Sequence, residues 1–198
     1  MTQTASQAIW QGFHWSFFIN VQGLIISLRR FEAQLALGHL DQAEIELATA
    51  TDLMLASGAS MELAGSFSRE AYEYEVRESM TPPQVQADNF SGLMSWEHAA
   101  LMQIWKRLRP AFETLPHELK PQHGKFVKAY FELAAAHRAV CEKFGGAEGG
   151  SLRFDSKCAI ATLDKFRDSR LGLINPTQSS PQGRSEEHTS ELQSPCNL

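Results

Sequence analysis

Apolar residues return every three or four positions along this chain, not at every second one. From about Gln7 to Leu37, Trp10, Phe13, Phe17, Val21, Leu24, Ile25 and Leu28 keep that spacing. On a helix of 3.6 residues per turn they draw one apolar stripe. Gly38 follows, and glycine ends helices well because it tolerates left-handed backbone. Asp41 opens a second helix, through Ala43, Ile45, Leu47, Leu53 and Leu55 to a break at Ser57-Gly58. A third runs from about Met61 to Met80 and stops at "TPPQ", since proline cannot continue the hydrogen-bond ladder. A fourth covers about Gly92 to Leu108 and ends before Pro110. Beyond the loop "LPHELKPQHG", a fifth runs from about Lys125 to Phe144, and a shorter, weaker one covers Asp155 to Arg170. There is no internal repeat and no alternating strand pattern with hairpin turns. The pattern predicts an all-α fold, a helical bundle around a shared interior.

Composition narrows this picture from the C-terminal end. "RSEEHTSELQS", Arg184 to Ser194, is similar to the in-frame translation of a sequencing adapter, and "PCNL" then reads as index read-through. Residues 184–198 are therefore set aside, with His188 and Cys196 among them. Residues 1–176 are expected to form one domain and 177–183 an unstructured tail, in keeping with domains of about 100–200 residues. A net charge of −5 argues against nucleic acid as the main partner, because phosphate contacts need clustered Lys and Arg. Cys141 and Cys158 have neither a metal-site nor a disulfide-framework spacing, which fits a reducing compartment. "FFINVQGLIISL", Phe17 to Leu28, is interrupted by Asn20, Gln22 and Gly23 and has no preceding positive charge. It is also shorter than the roughly 20 apolar residues of a membrane span. No membrane partner is expected, and a cytoplasmic location is.

Three residues break the patterns that surround them. On the fifth helix, Phe126, Tyr130, Leu133, Ala134, His137, Val140, Cys141 and Phe144 share a face, so His137 lies within an apolar stripe. One reading is a core histidine satisfied by a neighbouring side chain or carbonyl. The other is an axial ligand to haem iron, because neutral imidazole binds iron well and a helix fixes its direction. Ala134, Ala135 and Ala136 would admit a flat macrocycle, and periodicity does not choose between the readings. His14 repeats the oddity, one turn after Trp10 and one turn before Phe18. Together the two are either a ligand and a pocket base on opposite sides of a cofactor, or two separate core histidines. Arg77 follows "AYEYE" just before the Pro82-Pro83 stop. It is either a solvated cation at a helix end or a guanidinium that clamps a carboxylate by a bidentate pair.

The order of these elements resembles the tryptophan 2,3-dioxygenase superfamily of all-α, haem-dependent aromatic oxygenases. That superfamily includes the indoleamine dioxygenases and monodechloroaminopyrrolnitrin synthase. The resemblance runs from roughly Trp10 to Phe154 and rests on "HWSFFINV", on "VRESMTPP…NFSGL" and on His137 followed by "GGAEGGS". It implies that His14 is the distal pocket histidine, that Arg77 binds the substrate carboxylate, and that His137 is the proximal ligand of haem b. Gly145, Gly149, Gly150 and Ser151 would then contact the cofactor, in a loop able to close over the substrate. Phe13, Phe17, Tyr74 and Phe90 would wall the aromatic pocket.

Two departures point towards a biosynthetic branch such as the pyrrolnitrin enzyme. Glu148 stands near the place where tryptophan-cleaving members carry a threonine, and the stretch between Arg77 and His137 is shorter than in tryptophan 2,3-dioxygenase. His98, in "SWEHAALM", follows the Ser-Gly element closely and is either a further residue of the same pocket or, as expected, a half-exposed helix histidine. The implied activity is a haem-dependent (di)oxygenase that uses O₂ on an indole or other aromatic amino-acid derivative in secondary metabolism. A haem-binding protein without turnover and a cofactor-free helical interaction domain remain as alternatives. Association with further copies of the chain is left open.

Overall fold

In the computed structural model, residues 3–80, 83, 95–145, 150–151 and 154–178 are described. The first apolar stripe becomes α1 (Ala5–Ala36). Thr4 caps it reciprocally: its Oγ1 accepts from the Gln7 amide at 3.3 Å, and its own amide donates to Gln7 Oε1 at 3.0 Å. Two amides that the helix start leaves without partners are thereby satisfied. Gly38 adopts φ +74° and turns the chain, as expected. α2 (Leu40–Ala64) then returns along α1, and the pairs Ser16–Ser60 (3.1 Å) and Arg30–Glu46 (3.9 Å) show the two helices running antiparallel.

α2 does not break at Ser57-Gly58. A Cβ on Gly58 would lie 3.4 Å from Leu133 Cα, so the glycine stands where α5 packs closely on α2. The expected third helix is correspondingly divided. Met61 to Ala64 complete α2, and a new segment begins at α3 (Arg69–Ala71), where Ser68 Oγ accepts from the Ala71 amide at 3.1 Å. It continues as a π-helical turn, Tyr72–Val76, and a 3₁₀ turn, Arg77–Met80. Single π turns inside helices often mark functional sites. Here the Gln7 side chain of α1 donates to the Glu75 carbonyl at 2.9 Å.

α4 (Trp96–Glu113) starts at the Ser95 cap, whose Oγ accepts from the His98 amide at 3.2 Å. Contrary to expectation it passes through Pro110. The carbonyl that the proline leaves without a donor belongs to exposed Lys106, where water can take the bond, and Phe112 beyond it still packs into the core. α5 (Lys120–Gly145) begins earlier than Lys125, because Pro121 falls in the first turn, where its missing amide hydrogen costs nothing. β1 (Gly150–Ser151) pairs antiparallel with β2 (Phe154–Cys158), a small hairpin that the sequence did not suggest. α6 (Ala159–Ile174) therefore starts later than Asp155. Among the described residues the fold is all-α with this one hairpin.

The main core joins α1, α2, α4 and α5 through Leu24, Leu28, Phe31, Leu47, Met54, Ile104, Trp105, Leu108 and Phe126. A smaller cluster of Tyr72, Val76 and Phe144, flanked by Trp10, Phe67, Met80 and Val140, ties the start of α1 to the π turn and the end of α5. Tyr72 stacks on Phe144 at 4.3 Å, and Trp10 meets Tyr72 edge-on at 6.0 Å. This second cluster sets where His14 and His137 stand.

Candidate functional site

The first half of α1 carries His14 with its ring between Trp10 (4.3 Å) and Phe18 (6.1 Å). Its Nδ1 is buried and has no hydrogen-bond partner. Burial also lowers its pKa, so the ring is neutral. A cavity of about 740 Å³ opens beside it. Trp10, His14, Trp15 and Phe18 of α1 line it, with Ser79 and Met80 of the 3₁₀ turn and Glu97 at the start of α4. Glu97 is held by Gln22, whose Nε2 donates to Oε1 at 3.0 Å.

His137 comes from α5. Its pKa is pushed down to about 4, first by burial and then by the charges of Arg170 and His14. His98, from α4, is likewise pushed down to about 4 by burial, by Arg170 and by His137. Three imidazoles from three helices thus share one neighbourhood, and each is neutral near pH 7. Among the described residues, no three His, Cys, Asp or Glu side chains converge closely enough to hold a metal ion. That argues against a metal caged by protein ligands alone. It leaves open a group that brings four of its own ligand atoms and needs one imidazole. His137 is not among the residues that line that cavity, but its ring is neutral, and neutral nitrogen is the form that binds iron. The residues present fit haem. Cys141, one turn beyond His137, is a free thiol that burial pushes up to about 11.

Arg170 of α6 completes the cluster. Its Nη2 donates to His98 Nε2 at 3.2 Å, and its guanidinium lies 5.0 Å from the Phe166 ring centre. It also donates to the Tyr130 hydroxyl, which in turn donates to the Arg167 carbonyl at 3.2 Å. Burial lowers the pKa of Arg170, and it pushes that of Tyr130 up to about 12.

The other expected residues fare differently. Arg77 is exposed on the 3₁₀ turn, where its charge acts on the Tyr72 hydroxyl, and it does not line the cavity. Tyr74 is 71% exposed and forms no wall. Phe17 packs against the main core, edge-on to Phe18 at 5.7 Å, and half-buried Phe13 is also absent from the lining. Trp10, Trp15 and Phe18 of the same helix take their place. Gly145 is the last residue of α5, and Gly150 and Ser151 form β1. Phe90, Glu148, Gly149, the Ser-Gly of "NFSGL" and residues 184–198 lie outside the described residues. Arg170 is the member that the sequence did not reveal, and His98 was expected to be a half-exposed helix histidine rather than a pocket residue. His98 shows only as a polar residue in a first helical turn. Arg170 sits in "DSRLGL", with the look of a solvated cation.

The SfmD 3-methyl-L-tyrosine peroxygenase family model matches residues 2–122, more than half of the chain, and the chain belongs to that family. A 3-methyl-L-tyrosine peroxygenase from Streptomyces lavendulae is 28% identical over 177 residues, which is 88% of this chain and 48% of the relative. The chain thus spans about half the length of the curated relative it matches. No solved structure matches it. The pyrrolnitrin-type branch expected from Glu148 and the shortened stretch between Arg77 and His137 is not confirmed by these matches. Among the described residues, no helix is long and apolar enough to cross a membrane.

Proposed function

We propose that this member of the SfmD 3-methyl-L-tyrosine peroxygenase family is a haem-dependent oxygenase that hydroxylates a tyrosine-type aromatic amino acid in secondary metabolism. The observation that carries the reading is the pair of neutral imidazoles, His14 and His137. One has a buried ring nitrogen without a partner, facing a cavity of about 740 Å³. His137 would hold the iron, and haem, when bound, would activate the oxidant. The relative's name makes it a peroxygenase, so we take hydrogen peroxide as the oxidant in place of the O₂ that the resemblance implied. One peroxide oxygen enters an aromatic C–H bond as hydroxyl, and the other leaves as water.

The side chains of this chain do the rest. Trp10, Phe18 and Met80 offer faces on which an aromatic ring can lie. Neutral His14 can accept a phenol O–H at Nδ1, holding the proton of the group that becomes electron-rich as the ring reacts. Glu97, kept in place by Gln22, is the carboxylate on the cavity wall suited to a substrate ammonium. Arg77 stands next to the Ser79–Met80 rim, where it can draw a carboxylate towards the entrance.

The test begins with colour. The full chain supplied with haem is expected to show a Soret band that His137→Ala abolishes and His14→Ala keeps. With 3-methyl-L-tyrosine and peroxide, oxygen-free solution is expected to give a product heavier by one oxygen atom. A protein that takes up no iron porphyrin sinks the reading. A Soret band without product from any tyrosine derivative leaves a haem-binding protein of this fold.

A further inference from the structure

Arg170 lies on α6, beyond the residues that the family model matches. Its Nη2 donates to His98 at 3.2 Å and its charge reaches His137, yet each of its partners there is uncharged. His98 accepts at Nε2, which a protonated ring could not do, and Tyr130 presents a phenol hydroxyl that donates to the Arg167 carbonyl. The Phe166 ring offers only its π face. The neighbouring acids are engaged elsewhere: Asp164 pairs with Arg138 (3.7 Å) and Arg167 (3.2 Å), and Asp168 pairs with Arg167 (2.9 Å). Among the described residues, no carboxylate lies within ion-pair distance of Arg170.

A guanidinium withdrawn from water without a counter-charge is unfavourable. It has five N–H donors, and two neutral acceptors leave several unused. The remaining fork matches the two oxygens of a carboxylate. Two neutral partners that cannot discharge it hold the fork in place beside His137. We propose that Arg170 is an anion anchor that takes the carboxylate of a flat aromatic ligand bound against His98 and His137. Two ligands carry such a group, iron protoporphyrin through its propionates and the amino-acid substrate through its α-carboxylate. The first case rests on the haem site proposed above, and the second does not.

Chemical removal of the carboxylate decides the matter. Wild type is titrated with iron protoporphyrin and with its dimethyl ester, and separately with 3-methyl-L-tyrosine and the corresponding amine lacking the carboxylate, read by tryptophan fluorescence. Wild type is expected to prefer the acid in at least one pair by about tenfold to a hundredfold, the worth of a charged hydrogen-bonded pair. R170M is expected to bind both members of that pair alike. R170Q keeps N–H donors towards His98 and Tyr130 and removes only the charge. It should also lose the preference, which covers the case in which R170M does not fold. Loss in the porphyrin pair assigns the propionate, and loss in the amino-acid pair assigns the substrate. Wild type without a preference in either pair overturns the proposal, as do variants that keep it while melting lower, because Arg170 would then only brace His98 and Tyr130. If no Soret band ever forms, the haem reading fails, and the amino-acid pair still decides on Arg170.

Discussion

Two ends of this bundle each hold a buried histidine beside a cavity, and they differ in what the ring nitrogens find. At one end His123 donates to the Ile174 carbonyl at 2.6 Å and stacks on Phe112 at 4.7 Å, next to a cavity of about 640 Å³. At the other, His14 leaves its buried Nδ1 without a partner beside about 740 Å³. Burial lowers the pKa in both regions, so neither desolvation nor cavity size separates them. The unfilled hydrogen bond does. A satisfied imidazole is part of the packing, whereas an unsatisfied one keeps its lone pair or proton for something that arrives.

The comparison breaks most visibly on paired substitutions. His137→Ala is expected to abolish haem absorbance with little change in melting, while His123→Ala leaves haem uptake alone. The latter should cost about 1–3 kcal/mol in urea unfolding, because it strands a buried carbonyl. Equal effects on both readouts would erase the distinction.

A smaller effect should appear with pH. In the folded chain His98 and His137 titrate near 4, whereas the unfolded chain titrates near 6.5. Above pH 6.5 both states are neutral there and nothing is lost. As pH falls from 6.5 towards 4 the unfolded state binds protons first, so stability declines, by up to about 1.4 kcal/mol per unit of pKa difference for each ring. Urea melts of H98N/H137N should lose most of that slope, whereas His123→Asn should keep it. A slope unchanged in the double variant would mean that the pair is not held neutral by the fold.

The smallest change concerns Gly65, next to the site cluster. A Cβ there would lie 2.8 Å from Val140 Cγ2. Gly65→Ala is expected to cost about 1 kcal/mol, overpacking being partly relieved by rotation of Val140. It should also weaken haem uptake more than a substitution of equal cost near His123. Haem titrations on variants matched for melting temperature check this.

The paths of α1 and α5 were legible in advance because their apolar stripes are long and their stop signals local. The inward faces of His14 and His137 followed from the same periodicity. Gly58 misled because a glycine can end a helix or let another helix approach, and only Leu133 on α5 shows which applies. Pro110 misled for a similar reason, since exposed Lys106 makes the lost hydrogen bond cheap. For Arg77 and Tyr74, the π turn rotates the register on which their inward direction depended. Phe13 and Phe17 sit one helical position away from the residues that form the wall.

What the chain determines by itself is therefore helical and local: stripes of apolar side chains, caps at Thr4 and Gly38, and two imidazoles on buried faces. The meeting of His14, His98 and His137 with Arg170 belongs to the tertiary structure alone. Those four residues come from four helices, and no spacing along one chain encodes the angle at which four helices cross. That angle is set by the packing of Tyr72, Phe144 and Trp10, and by the small residues that let α2 and α5 come close.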